Sequence, residues 1–144
     1  MKKTTSLVCE TLTDDLSGVS LKEVELPKIS SDQLLIKVKA ASVNFPDLLM
    51  TQGKYQHKPD LPFVLGMEGS GVVEEIGPEV SLFKVGDRVS HASAPISGYS
   101  EKQIMPEEKL VTVPEGISDE IASCILLKGI TSEYLLHRSY AVKK

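Results

Sequence analysis

The chain has 144 residues, 41% of them hydrophobic and 25% charged, with sixteen Lys and Arg against twenty Asp and Glu for a net charge of -4. That length is one domain's worth and that balance is ordinary for a packed globular protein, which excludes intrinsic disorder and leaves no room for two full domains. The charges are interspersed, with basic pairs only at Lys2-Lys3 and Lys143-Lys144; nucleic-acid partners are excluded because phosphate binding needs a concentrated positive face.

The longest uncharged apolar stretch, Leu61 to Met67, is far below the ~18 residues of a membrane span. Lys2 and Lys3 are followed by Thr4, Thr5, Glu10 and Asp14, so no apolar signal-peptide core follows them and the expected location is cytoplasmic. Cys9 and Cys124 are too few for a disulfide framework or a thiolate cage, and both are expected to be reduced and buried.

Along the chain, Ser6 to Val43 reads as strands. Val24 and Leu26 fall opposite Glu23 and Glu25, and Leu34, Ile36 and Val38 alternate with Leu35, Lys37 and Lys39; this period of two predicts half-buried antiparallel strands. Pro27 to Asp32 is the turn segment between them. At Asn44-Phe45-Pro46-Asp47 a helix begins: Asn is a good N-cap, Pro is tolerated in the first turn, and Asp three residues on can answer the cap's N–H. Gly53 suits its end, giving a helix over residues 45 to 52, and Lys54 to Pro62 is a surface loop.

Short apolar strands then recur at Gly71–Ile76, Arg88-Val89, Gln103–Met105 and Leu110–Val113, separated by turn residues every ~8 to 12 positions, the pattern of an all-β sandwich or barrel. Glycines 66, 69, 71, 77, 86 and 98 read as corners. After Gly116 the pattern is helical: Ser118 caps a helix with Asp119 and Glu120 in its first turn, Gly129 breaks it, and Thr131 caps a second one.

The residues alone carry little chemistry. His57, His91 and His137 lie too far apart for a metal motif and read as ordinary surface or core residues. No Gly-x-Ser-x-Gly elbow is present. Gly66-Met67-Glu68-Gly69-Ser70-Gly71 reverses the dinucleotide fingerprint and leads into a strand instead of a helix, so corner glycines explain it better. Glu68 in that apolar stretch is either exposed at a bend or buried with a partner. Asn44 and Asp47 read as capping ahead of ligand binding.

Taken together, Leu34–Val38, Ser42–Asp47, Gly53-Lys54-Tyr55, Pro62, Gly66–Val73, Val85–Val89 and Leu127-Lys128-Gly129-Ile130-Thr131 resemble the medium-chain dehydrogenase/reductase superfamily, in its zinc-independent NADPH:quinone oxidoreductase, or zeta-crystallin-like, branch. The resemblance implies a mainly β fold, a GroES-like partly open β-barrel over residues 1–116, with residues 117–144 as a pair of linking helices leading toward a Rossmann domain that is not in the chain.

Zinc alcohol dehydrogenases place Cys, His and Cys where this chain has Asn44, Met67 and, by apparent alignment, Lys128, and these three cannot make a thiolate-imidazole site. The resemblance thus implies NADPH as cofactor, bound mainly by the absent domain, and no zinc. It places Asn44, Phe45, Asp47, Leu49 and Thr131 against the cofactor, with Leu49 standing where many members carry Tyr. Tyr55 is implied to line the substrate cleft. Asn44, Tyr55 and Lys128 are the implied catalytic set, polarising a quinone or α,β-unsaturated carbonyl as hydride is delivered.

The full-length protein is expected to be a homodimer and the 144-residue chain to be inactive alone. Other readings are a free-standing GroES-like binding or co-chaperone module, which would not need Asn44–Asp47 or Lys128–Thr131, and a zinc alcohol dehydrogenase domain. The choice between NADPH and NADH rests on a residue outside the chain.

Overall fold

A computed structural model describes residues 2–140 and 142. Among the described residues, eight strands form two antiparallel sheets. The smaller has the order β2-β1-β4, with β1 Lys3–Cys9, β2 Val19–Glu25 and β4 Phe63–Val64. The larger has the order β7-β3-β5-β6-β8, with β3 Gln33–Ala41, β5 Glu68–Ile76, β6 Arg88–Ala92, β7 Lys102–Pro106 and β8 Val111–Thr112.

Backbone bonds link the sheets around β1. Leu7 N–H donates to Tyr99 O (2.8 Å) and Glu101 N–H to Thr5 O (2.9 Å), joining β1 to the stretch that leads into β7, while Leu65 N–H donates to Leu7 O (3.0 Å) in continuation of the β1–β4 pair. The expected mainly β fold with a helical tail is what forms. The turn at Pro27–Asp32 carries the chain from one sheet to the other, so β2 and β3 are not ladder partners.

Two apolar clusters fill the interior. Leu34, Ile36, Val73, Val89, Met105 and Leu110 pack within the larger sheet's layer, and Cys9, Met50, Phe63, Leu65 and Met67 form the other. The period-two reading of β3 needs one correction. Leu35 is buried along with Leu34 and Ile36 but lies outside their cluster, because β3 alternates in unbroken register with β7 and, as an interior strand between β7 and β5, is covered on both faces at this point and not half-buried.

The glycine reading also needs refinement. Gly66 (φ +103°) and Gly86 (φ +95°) are true corners. Gly69 and Gly71 lie inside β5, and a Cβ on Gly71 would stand 2.3 Å from Lys37 O, so close strand approach demands the glycine.

Helix α1, Phe45–Thr51, starts after Asn44 with Pro46 in its first turn and Gly53 just past its end, as the cap residues predict. Helix α2 is different. It runs without interruption from Asp119 to Glu133, through Gly129, and only then loosens into a π-helical turn over Tyr134–Ser139. Gly129 does not break it and Thr131 does not cap a second helix. Thr131 Oγ1 instead donates to Leu127 O at 2.7 Å inside α2. A single helical glycine costs about 1 kcal/mol, less than the ladder on either side recovers.

The N-terminus of α2 is fixed to the larger sheet. Arg88 bonds Asp119 Oδ1 (2.7 Å) and Ile117 O (2.6 Å), Ser70 Oγ donates to Asp119 O (2.7 Å), and Ser90 Oγ lies 2.7 Å from Ala122 O. Beyond that anchor the helix presents Ile125, Ile130, Tyr134, Leu135 and Leu136 to solvent. Cys9 is fully buried as expected, whereas Cys124 on α2 is only half-buried. Among the described residues no helix is long and apolar enough to cross a membrane. Lys143-Lys144 and the end of the tail lie outside the described residues.

Candidate active site

Three elements converge where β3 ends. Ser42 N–H donates to Glu68 O (3.3 Å), holding the exit of β3 against the start of β5. Asn44 follows as the cap of α1, and α2 passes over both with Lys128. Local structure therefore brings together Ser42, Asn44, Glu68 and Lys128, which span 86 positions of sequence.

Glu68 is the hub. Its side chain is fully buried, and Oε2 accepts from Ser42 Oγ (2.6 Å), Asn44 Nδ2 (3.2 Å) and Lys128 Nζ (3.2 Å), while Oε1 accepts the backbone N–H of Leu127 (2.8 Å). Burial alone would raise its pKa. The bonds from Ser42, Leu127, Asn44 and Lys128 outweigh burial and hold the carboxyl below its ordinary value, so it is ionised at neutral pH. Lys128 also donates to Asn44 Oδ1 (2.8 Å) and Ser42 Oγ (3.2 Å).

A second group adjoins this one through Asn44. The Asn44 backbone N–H donates to Asp47 Oδ2 (2.9 Å), the return bond of a capping box. The Tyr99 hydroxyl donates to the same oxygen at 2.7 Å, with Ser42 O at 3.2 Å. Burial, then the bond and charge of Asp47, push the Tyr99 phenol far above its ordinary pKa, so it remains a donor. Asp47 Oδ1 is buried and has no hydrogen-bond partner among the described residues.

Behind Glu68, His91 on β6 is buried with Nε2 2.6 Å from the Gln103 amide nitrogen and Nδ1 unpartnered. Burial lowers its pKa to about 4, against a smaller opposing pull from Glu68, so it is neutral.

The predicted site residues are distributed as follows. Asn44 and Lys128 touch, and Asp47 is one bond away. Phe45 is exposed beside them, Leu49 is half-buried on α1, and Thr131 is exposed one turn beyond Lys128. Tyr55 lies apart from the polar network and packs half-buried against the Cys9–Met67 cluster.

Met67 is buried in that same cluster, its thioether in the core. Ser42 and Tyr99 escaped notice in the sequence. Ser42 is separated from Glu68 by 26 positions and Tyr99 from Asp47 by 52, and neither has local spacing to mark it. Among the described residues no group of three His, Cys, Asp or Glu side chains is placed to hold a metal ion.

A two-sheet β domain whose tail helix crosses a buried carboxylate defines the class. Residues 30–144 match the family described as the alcohol dehydrogenase GroES-like domain, and the chain belongs to that family, on its quinone oxidoreductase branch. It is 44% identical over 111 residues to a quinone oxidoreductase of Pseudomonas aeruginosa, covering 77% of this chain and 34% of that protein. It is 36% identical over 127 residues to a 2-haloacrylate reductase of a Burkholderia species, covering 85% and 38%.

Among solved structures, the Escherichia coli quinone oxidoreductase complexed with NADPH superposes with a TM-score of 0.85 at 31% identity, covering 96% of this chain and 42% of that one. The chain thus spans about two fifths or less of the length of these relatives.

Proposed function

We propose that residues 1–116 are the catalytic domain and residues 117–144 the link of an NAD(P)H-dependent oxidoreductase acting on quinones or α,β-unsaturated carbonyls. The observation that carries this reading is the contact between Asn44 and Lys128 over ionised Glu68, where zinc members of the wider superfamily are implied to hold a metal with cysteines. Asn44, Met67 and Lys128 do not suit zinc, since Met67 is in the core and the other two bond each other.

The dinucleotide fits better. Asp47 Oδ1 is a buried acceptor in want of a donor, and an amide or hydroxyl of the cofactor would supply one. Asn44, Asp47, exposed Phe45, Leu49 and Thr131 would contact the nicotinamide end, with NADPH favoured by the relatives. When bound, NADPH supplies the hydride; the domain orients the acceptor, excludes water and offers fixed positive charge to the oxygen that becomes negative. Tyr55 is read as lining the acceptor's side of the cleft.

The open apolar row Ile125, Ile130, Leu135 and Leu136 supports a second domain seated on α2, and a homodimer formed through that domain. The test is a fusion of residues 1–144 to the remaining segment of the Pseudomonas aeruginosa relative. It is expected to oxidise NADPH with 1,4-benzoquinone as acceptor. A folded fusion that binds NADPH but reduces neither benzoquinone nor a simple enone would overturn the reading.

A further inference from the structure

The three N–H groups of the Lys128 ammonium meet three oxygens: Asn44 Oδ1 at 2.8 Å, Ser42 Oγ at 3.2 Å and Glu68 Oε2 at 3.2 Å. Each oxygen is aimed by its other bonds. The Asn44 amide nitrogen faces Glu68 Oε2 (3.2 Å) and Ser42 Oγ (3.1 Å), which turns the amide oxygen toward the ammonium; a flipped amide would set NH2 against it.

The Ser42 hydrogen goes to Glu68 at 2.6 Å, leaving the hydroxyl lone pairs for Nζ. Glu68 is held from its far side by the Leu127 N–H, so the carboxylate and the helix that carries Lys128 are fixed to one another.

We propose that Ser42, Asn44 and Glu68 form an oxygen-lined socket for one monovalent cation, filled by the chain's own Lys128 ammonium, which thereby becomes a fixed charge. The contact distances of 2.8–3.2 Å suit an ammonium and are too long for magnesium or zinc, which bind oxygen at about 2.0–2.2 Å. A planar guanidinium needs a fork of acceptors in one plane, which three converging oxygens do not offer.

All three ammonium hydrogens are directed at these oxygens, so a substrate meets the group as a charge and not as a hydrogen-bond donor. The charge acts through its field, and it is aimed because the ammonium of the half-exposed Lys128 side chain stands on a fully buried counter-ion. The catalytic use of this charge rests on the oxidoreductase reading; the socket itself does not.

The test uses the 144-residue protein and its Lys128→Ala variant, melted in chloride salts of matched ionic strength. The variant is expected to melt about 4–8 °C lower than the wild type. Ammonium or ethylammonium is expected to restore at least half of that loss, tetramethylammonium none, with the wild type unmoved. An equal response of both proteins, or an equal response to all three cations, would overturn the socket.

If Lys128→Ala does not fold, Lys128→Met is compared with Lys128→Met/Glu68→Gln. The double variant is expected to melt nearer the wild type, because it removes the stranded charge; a double variant no more stable than the single one would refute the pairing. A wild-type fusion without quinone reduction would sink the oxidoreductase reading and leave a selective rescue intact. An active fusion without selective rescue would do the reverse.

Discussion

Glu68 Oε2 and Lys128 Nζ stand 3.2 Å apart, a carboxylate with no exposed side-chain surface beneath the ammonium of a side chain that is 52% exposed. The asymmetry sets the consequences of mutation. Removing the carboxylate leaves the Leu127 N–H, the Ser42 hydroxyl and the Asn44 amide short of an acceptor, so Glu68→Ala is expected to cost about 2–4 kcal/mol. Urea unfolding at pH 7 measures it, and a cost within about 0.5 kcal/mol of zero, the range of an ordinary surface change, would show that the hub does not hold these elements together.

Acid should weaken the fold in two stages. His91 is lowered from 6.5 to about 4, so between those values the unfolded chain binds a proton that the folded one does not, and stability falls with pH by up to about 1.4 kcal/mol per unit. Glu68 is lowered below 4.5; its contribution is complete above the unfolded value and disappears as pH falls through the folded one. Unfolding free energies of wild type and His91→Gln from pH 7 to 4 separate the two. The variant is expected to lose the slope between 6.5 and 5 and retain the later one, and identical profiles would contradict the assignment to His91.

Tyr99→Phe deletes the donor 2.7 Å from Asp47 Oδ2. Because Asp47 Oδ1 already lacks a partner, the carboxylate would keep only the Asn44 N–H bond, and a loss of about 1–3 kcal/mol is expected. Adding Asp47→Asn should recover part of it, since a neutral amide is less costly to bury than a poorly partnered charge. Strict additivity of the two changes in a thermal or urea cycle would argue that they do not interact.

Gly71 and Gly86 differ in why they are glycine. At Gly71 a Cβ would overlap Lys37 O at 2.3 Å and Ile36 Cγ2 at 2.8 Å, whereas at Gly86 nothing lies within 4 Å and only φ of +95° opposes a side chain. Gly71→Ala is therefore expected to separate β3 from β5, at a cost of about 3 kcal/mol or more, and Gly86→Ala to cost about 1 kcal/mol. Comparable unfolding midpoints for the two variants would show that the β3–β5 approach is not the constraint.

Local rules were legible in the sequence. Asn44, Pro46, Asp47 and Gly53 announce α1 because caps and turns are short-range chemistry, and the alternation at Leu34–Val38 announces a strand; that Leu35 on its other face is buried too follows from the strand's interior place between β7 and β5, which no periodicity encodes. The failures share a cause.

Gly129 and Thr131 carry the local signs of a break and a cap, yet α2 passes through them, because the Leu127 N–H bond to Glu68, the Lys128 bonds and the Ser70 and Ser90 contacts at the helix start hold the segment from outside. Asn44 and Lys128 were reachable through their resemblance to a family motif. Ser42 lies in the same motif, but its bond to Glu68, 26 positions away, has no local sign; Tyr99 and His91 lie outside the motif, and their meaning is in partners 52 and 12 positions away.

The proposed role of Lys128 is that of a fixed positive charge serving the hydride acceptor. The direct measurement is steady-state quinone reduction by the fusion carrying Lys128→Met, with kcat and the KM for NADPH determined separately. Loss of that charge is expected to lower kcat about 10²-fold, in the range for losing one oxyanion-stabilising group, and to leave the KM for NADPH within about threefold of wild type, as when the lost interaction belongs to the transition state. A folded variant that keeps the wild-type kcat would contradict it.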